Sequence, residues 1–132
     1  MMEYKNNNLI INKAFMSKNN ALKIQYNKDV NQIFIHAGKK DNEKWVWIKT
    51  KFSDSEIGDI LRVLNGQTDK CSFFHQFNGN TTRTWINKKD GFVFFKIEDI
   101  SKALNSGEQE VLKVLLNKII LLSNVNEDLE NF

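Results

Sequence analysis

Ser53-Asp54-Ser55-Glu56-Ile57-Gly58-Asp59-Ile60-Leu61-Arg62-Val63-Leu64-Asn65-Gly66 opens on a serine with a glutamate three residues later. At that spacing each side chain satisfies the other's orphan backbone amide at a helix start. Ile57, Ile60, Leu61 and Leu64 follow at helical spacing, and Gly66 offers the residue that most easily turns left-handed past a helix end. The stretch predicts a helix over 54–65. The signal recurs at Ser106-Gly107-Glu108-Gln109, read with Ser106 as the cap. It leads into Val111, Leu112, Val114, Leu115, Leu116, Ile119, Ile120 and Leu122, which predicts a longer helix over 107–124.

The segments before each helix are rich in β-branched and aromatic residues and are separated by Asn, Asp and Gly. They predict strands at 9–15, 20–26, 32–38 and 44–52 before the first helix, and at 70–77, 81–87 and 91–99 before the second. Asn78-Gly79 and Asp90-Gly91 are hairpin signals that fold the second set into an antiparallel meander. The fold class is therefore α+β: two repeats of antiparallel strands followed by a helix. The chain has no proline, so every strand residue can donate to its ladder and the sheet edges stay open to pairing with another subunit.

The 132 residues, 41% apolar and 27% charged, suit one globular domain and exclude a disordered chain. The reading is a domain over 1–124 and an acidic, flexible tail over 125–132. The run Ile119-Ile120-Leu121-Leu122 is far shorter than the roughly 20 residues of a membrane span, so no membrane role is expected. Residues 1–8 lack the apolar stretch of a secretory signal. Cys71 is alone, which rules out an internal disulfide and suits a reducing compartment. The expected location is intracellular: the cytoplasm of a bacterium or of the host of a phage or other virus. The net charge is +3, but Glu127, Asp128 and Glu130 give the tail −3. Subtracting that leaves +6 on residues 1–124, a mildly phosphate-attracting body.

Strand residues two apart share a face. In Lys44-Trp45-Val46-Trp47-Ile48-Lys49-Thr50-Lys51 this groups Trp45, Trp47, Lys49 and Lys51 and turns Val46 and Ile48 away. The same parity groups Arg83 with Trp85, and Phe92 and Phe94 with Lys96, and sets Lys23 opposite Leu22 and Ile24. Rings interleaved with cations suit a single nucleic-acid strand, whose bases stack on rings for about 1–3 kcal/mol each while its backbone follows positive charge. Taken singly, a strand ring more often fills a core. Here the opposite parity already supplies one: Leu22, Ile24, Val46, Ile48, Val93, Phe95 and Ile97. Two apolar faces need two covers, and the helices can give only one. The second helix poses the same question. Leu112, Leu116 and Ile120 form one stripe beside another of Val111, Leu115, Ile119 and Leu122, so one stripe covers the sheet and the other calls for a second subunit, in a dimer or tetramer.

Enzyme chemistry finds little footing. His36 and His75 are the only histidines and neither sits in a ligand or nucleophile motif. Cys71 and His75 could share a strand face, where a lone cysteine among rings is ordinarily packing. Gly38 and Gly66 stand alone rather than in a phosphate loop. No enzyme, cofactor or metal is expected.

Two segments, Phe52-Ser53-Asp54-Ser55-Glu56-Ile57-Gly58-Asp59-Ile60 and Asp69-Lys70-Cys71-Ser72-Phe73-Phe74-His75, resemble the centre of the Whirly proteins. Those pair a Glu-Ile-Gly helix start with a downstream Asp-Ser-Cys-x-Phe-Phe-His strand. The resemblance runs more loosely from about residue 18 to residue 124. The wider group includes the coactivator positive cofactor four and kinetoplastid guide-RNA-binding proteins. It implies β-sheets followed by helices, binding of single-stranded nucleic acid, and assembly through helices. The Whirly Lys-Gly-Lys-Ala-Ala-Leu motif is matched only as Ser17-Lys18-Asn19-Asn20-Ala21-Leu22, which leaves Lys18 and Lys23 as substitute backbone contacts. The acidic end closing on Phe132 resembles the tips of bacterial and phage single-stranded DNA-binding proteins, which implies that Glu127, Asp128, Glu130 and Phe132 recruit replication proteins.

These readings converge on a largely sequence-independent single-stranded DNA-binding protein of replication, recombination or repair. Its candidate contacts are Lys18, Lys23, Trp45, Trp47, Lys49, Lys51, Arg83, Trp85, Phe92, Phe94 and Lys96. The alternatives are an RNA-binding, annealing or transcription-regulating protein of the same fold, and a protein-interaction module that binds no nucleic acid.

Overall fold

The computed structural model describes residues 9–125; Glu127, Asp128, Glu130 and Phe132, the contacts expected of the tail, lie outside them. The elements run β1 (Leu9–Met16), β2 (Asn20–Asn27), β3 (Gln32–Asp41), β4 (Lys44–Phe52), α1 (Asp54–Leu64), β5 (Lys70–Phe77), β6 (Asn80–Lys89), β7 (Phe92–Ile97), β8 (Ile100–Leu104) and α2 (Ser106–Asn124). Two antiparallel four-stranded sheets result, ordered β1-β2-β3-β4 and β5-β6-β7-β8, and each is followed by a helix. This is the expected class.

Both expected hairpin turns form. Asn78 and Gly79 have φ of 53° and 80°, Asp90 and Gly91 of 56° and 84°, the left-handed pair that matches strand twist. The expected strand at 91–99 is instead two, β7 and β8, divided at Glu98-Asp99. Glu98 takes φ 54° without a glycine or asparagine to announce it. Its turn is held from outside. The Glu98 amide donates to the Arg83 carbonyl at 2.9 Å, and the Glu98 carboxylate accepts from the Arg83 amide.

At the start of α1 the Ser53 hydroxyl accepts from the Glu56 amide and the Glu56 carboxylate from the Ser53 amide, as the sequence predicts. At its end the Gly66 amide donates to the Val63 carbonyl and the Gln67 amide to the Arg62 carbonyl, with Gly66 at φ 77°. This is the Schellman arrangement. The second cap differs by one residue from expectation. Asn105, not Ser106, is the cap, and Glu108, not Gln109, closes the box. An asparagine oxygen caps as well as a serine hydroxyl, and Gln109 is freed to donate to the Gly91 and Leu104 carbonyls, tying α2 to the β6–β7 turn and to β8.

The core is one cluster shared by both sheets and both helices. Leu22, Ile24, Ile33, Ile35, Ile86, Val93, Phe95 and Ile97 meet Ile57, Ile60, Leu64, Leu112, Leu116 and Ile119. Of the core parity read from sequence, Val46 departs: it is 42% exposed, and it pairs with Lys39 close to the β3–β4 turn. The α2 stripes are also divided differently. Leu112, Leu116 and Ile119 are fully buried, Leu115, Ile120 and Leu122 pack at the margin, and Val111, Val114 and Leu121 face outward. No helix among the described residues is long and apolar enough to cross a membrane.

Candidate functional site

With both helices on the inner faces, the outer face of each sheet is bare. Register places the outward residues of the first sheet in rows. Ala21, Gly38 and Trp47 form one row, Lys23, His36 and Lys49 the next, Gln25, Phe34 and Lys51 the third. Lys40 and Trp45 pair beyond the first row. On the second sheet Ser72, Trp85, Lys96 and Ser101 share a row, Asn87, Phe94 and Ala103 another, and Phe74 pairs with Arg83 and Lys89 with Phe92. Strand alternation thus gives both outer faces lysine and rings, the second also Arg83, and neither a strand carboxylate.

Trp45, Trp47, Lys23, Lys49 and Lys51 come together on the first sheet, and Arg83, Trp85, Phe92, Phe94 and Lys96 on the second. Lys18 is exposed in the β1–β2 connection, on neither face. Trp85, Phe92 and Phe94 are 43%, 43% and 37% exposed, whereas Trp45 and Trp47 are half-buried. Three outward residues that the same alternation could have found are Phe34, His36 and Phe74. Reading Gln32 to Gly38 as a period of two turns Ile33, Ile35 and Ala37 inward and leaves Phe34 and His36 outside.

The first face is closely built. Trp47 stacks on Trp45 with centroids 5.8 Å apart and receives the edge of His36 at 6.4 Å. Its indole crosses β3 over Gly38, where a Cβ would stand 2.7 Å from two ring carbons. Lys23, on the far side of β3, holds its ammonium 4.2 Å from the same ring. Lys49 lies 4.3 Å over Phe34. On the second sheet the contacts are looser, with Lys96 5.4 Å from Trp85 and Arg83 5.3 Å from Phe74. His36 is buried beneath this layer; burial, and then the charges of Lys23 and Lys49, push its pKa down to about 4. The imidazole is neutral at physiological pH and leaves the lysines unopposed by any buried charge.

On the inner face of the second sheet, Cys71, Phe73 and His75 line up beside the core. Burial and the nearby Asp59 carboxylate push the Cys71 thiol up to about 11, so it stays protonated and a poor nucleophile. His75 Nε2 lies 3.0 Å from both oxygens of Glu56, which joins the two segments that carry the family resemblance. Among the described residues no group of three or more His, Cys, Asp and Glu side chains could hold a metal ion.

No protein-family model and no curated protein sequence matches the chain. Solved structures do. WHY1 from Arabidopsis thaliana aligns with a TM-score of 0.63 at 16% identity, covering 83% of this chain and 82% of that one. WHY3 from Arabidopsis thaliana aligns at 0.61 and 12%, covering 83% and 86%. The plant transcriptional regulator PBF-2 aligns at 0.60 and 14%, covering 83% and 80%. These are Whirly proteins, and the chain has the Whirly-like fold that its central segments resemble.

Two predictions test the face. Gly38→Ala forces the Trp47 indole off β3, so the tryptophan emission of the free protein shifts to the red while urea unfolding remains cooperative; an unchanged spectrum means that the ring does not rest on Gly38. For His36 the folded pKa lies below the unfolded value of about 6.5. The unfolded chain therefore binds the extra proton first, and stability falls as pH drops from about 6.5 through about 4. His36→Gln removes this component. The wild-type loss over that window should exceed the variant's by roughly 2–3 kcal/mol in urea titrations.

Proposed function

We propose that this chain binds single-stranded nucleic acid, DNA in the first instance, on the outer faces of its two sheets, and is a binder rather than an enzyme. The observation that carries this reading is the pairing of rings with cations on faces whose strand positions hold no carboxylate. Each lysine laid on a ring contributes about 0.5–1 kcal/mol at an exposed site. A base stacked on that ring contributes about 1–3 kcal/mol, and the released ammonium gains a phosphate. The exchange favours the strand. Duplex DNA cannot make it, because its base faces are already stacked.

Stacking and backbone charge do not read base identity, which suits a largely sequence-independent role on single strands exposed in replication, recombination or repair. Lys23, Lys49, Lys51, Arg83 and Lys96 follow the backbone, and Trp45, Trp47, Trp85, Phe92 and Phe94 receive bases. The likeness to a plant transcriptional regulator is compatible with a role on DNA. Assembly follows from α2. Val111, Val114 and Leu121 are 45%, 68% and 55% exposed beside the half-buried Leu115 and Ile120, an apolar strip that a second copy of α2 would bury.

Titration with oligo-dT should quench tryptophan fluorescence and bind tightly at low salt, with affinity falling steeply as salt rises. Trp47→Ala and Trp85→Ala should each cost about 1–3 kcal/mol. Unchanged fluorescence and no binding at low salt would reject the reading, and stronger competition by matched RNA would move the substrate to RNA. In sedimentation, Val114→Lys should convert an oligomer into a folded monomer; a wild-type chain that is already monomeric at micromolar concentration removes the assembly claim.

A further inference from the structure

Where β4 ends and the β5–β6 hairpin closes, a groove of about 740 Å³ opens between the two sheets. That size is within the roughly 300–1,000 Å³ of small-molecule sites. Phe34, Phe52 and Phe77 give it ring surface, and Lys49 and Lys51 stand on its rim. Phe34 and Lys49 also belong to the outer face of the first sheet, so the groove is continuous with the proposed binding surface yet runs inward from it. Its charge is positive at the mouth. The Glu56 carboxylate behind it is already engaged by the Ser53 amide and by His75.

Two polar atoms in this wall lack partners. The Thr50 hydroxyl belongs to a side chain only 4% exposed and makes no hydrogen bond, and neither does the buried Nδ1 of His75. Both residues line the groove. The His75 ring is fixed, with Phe52 edge-on at 4.9 Å, Phe73 stacked at 6.2 Å and Glu56 at Nε2. A carboxylate only accepts, so Nε2 carries a hydrogen, and in that tautomer of the ring Nδ1 is an acceptor without a donor. Buried polar groups ordinarily have partners, and an orphan is a mark of something missing.

We propose that the groove takes one unstacked nucleobase of the bound strand. An N–H of the base's pairing edge donates to His75 Nδ1, the neighbouring acceptor receives the Thr50 hydroxyl, and the adjoining phosphate lies between Lys49 and Lys51. The inference rests on the binding reading above and adds to it a pocket that grips the base by its edge rather than by its face. Every standard base has an N–H on its pairing edge, so the pocket admits any of them and refuses one whose edge is blocked.

The experiment compares oligo-dT with the same oligomer built from N3-methylthymidine, which keeps the stacking face and the backbone but replaces the edge N–H by a methyl group. The wild-type chain should bind the methylated strand about tenfold more weakly, the ratio that one hydrogen bond with its desolvation commands. Thr50→Val, nearly isosteric, should shrink the ratio, and His75→Phe should remove it. In the wild-type protein the His75 Nδ1 nitrogen resonance should shift with oligo-dT and not with the methylated strand. Equal wild-type affinity for both strands, or a ratio that survives both substitutions, overturns the pocket and leaves face stacking intact. Failure to bind either strand overturns both readings together.

Discussion

Strand side chains alternate, and in this chain a single core takes up one parity of the strands over most of their length. Ile24 and Ile35 from the first sheet and Ile86 and Phe95 from the second point into the same cluster, which α1 and α2 complete. Nothing remains of the core to cover the other parity. The outer rings are therefore left to cover one another, and the means are local. Trp47 lies flat because Gly38 has no side chain in its way, and lysine stems and ammonium groups cover the ring faces that core residues would otherwise cover. A surface built this way is ordered in the free protein but weakly held, because each cover is worth less than a stacked base.

How the two sheets stand relative to each other depends heavily on Glu56. One carboxylate accepts the Ser53 amide that starts α1 and the His75 Nε2 of β5, so the junction between the sheets and the edge of the second sheet are fixed by the same two oxygens. The pair is half-buried, where a charge-assisted bond is worth more than on the open surface. The width of the groove between β4 and the β5–β6 hairpin follows from this clasp. At the opposite side the sheets are joined by weaker polar contacts, the Asn20 amide donating to the Ser101 carbonyl at 2.7 Å and Lys39 pairing with the exposed Asp99 at 3.0 Å.

The elements that announce themselves chemically were legible in the sequence. Ser53 and Glu56, Asn78-Gly79 and Asp90-Gly91 each encode a local geometry, and alternation sorted Trp47 from Ile48 correctly. What escaped was decided by distant partners. The Glu98-Asp99 turn has no signature because its left-handed residue is held by the backbone of Arg83, fifteen positions away, so β8 merged with β7. Asn105 caps α2 while Gln109, the box partner that a Ser106 cap would require, instead donates to the distant Gly91 carbonyl. Val46 has the parity of a core residue and lies beyond the end of the core. The groove was the least legible feature, since Thr50 comes from β4 and His75 and Phe77 from β5, in different sheets, and the two unmatched polar atoms show only once these strands are placed together.

Net charge understates the electrostatics of this surface. The strand positions of the outer faces hold Lys23, Lys40, Lys49 and Lys51 on one sheet and Arg83, Lys89 and Lys96 on the other, while acids that offset them are placed at turns and helix starts, among them Asp29, Glu43, Asp90, Asp54 and Glu108. At physiological salt, charges separated by more than about 8 Å are largely screened, so a backbone lying on a sheet responds to the cations beneath it and little to the acids at its margins. Placement, rather than the +3 of the whole chain, is what makes the faces attractive to phosphate. The same separation keeps the helix-start acids useful where they are, since Asp54 and Glu56 in the first turn of α1 complement the positive end of its dipole without entering the outer face.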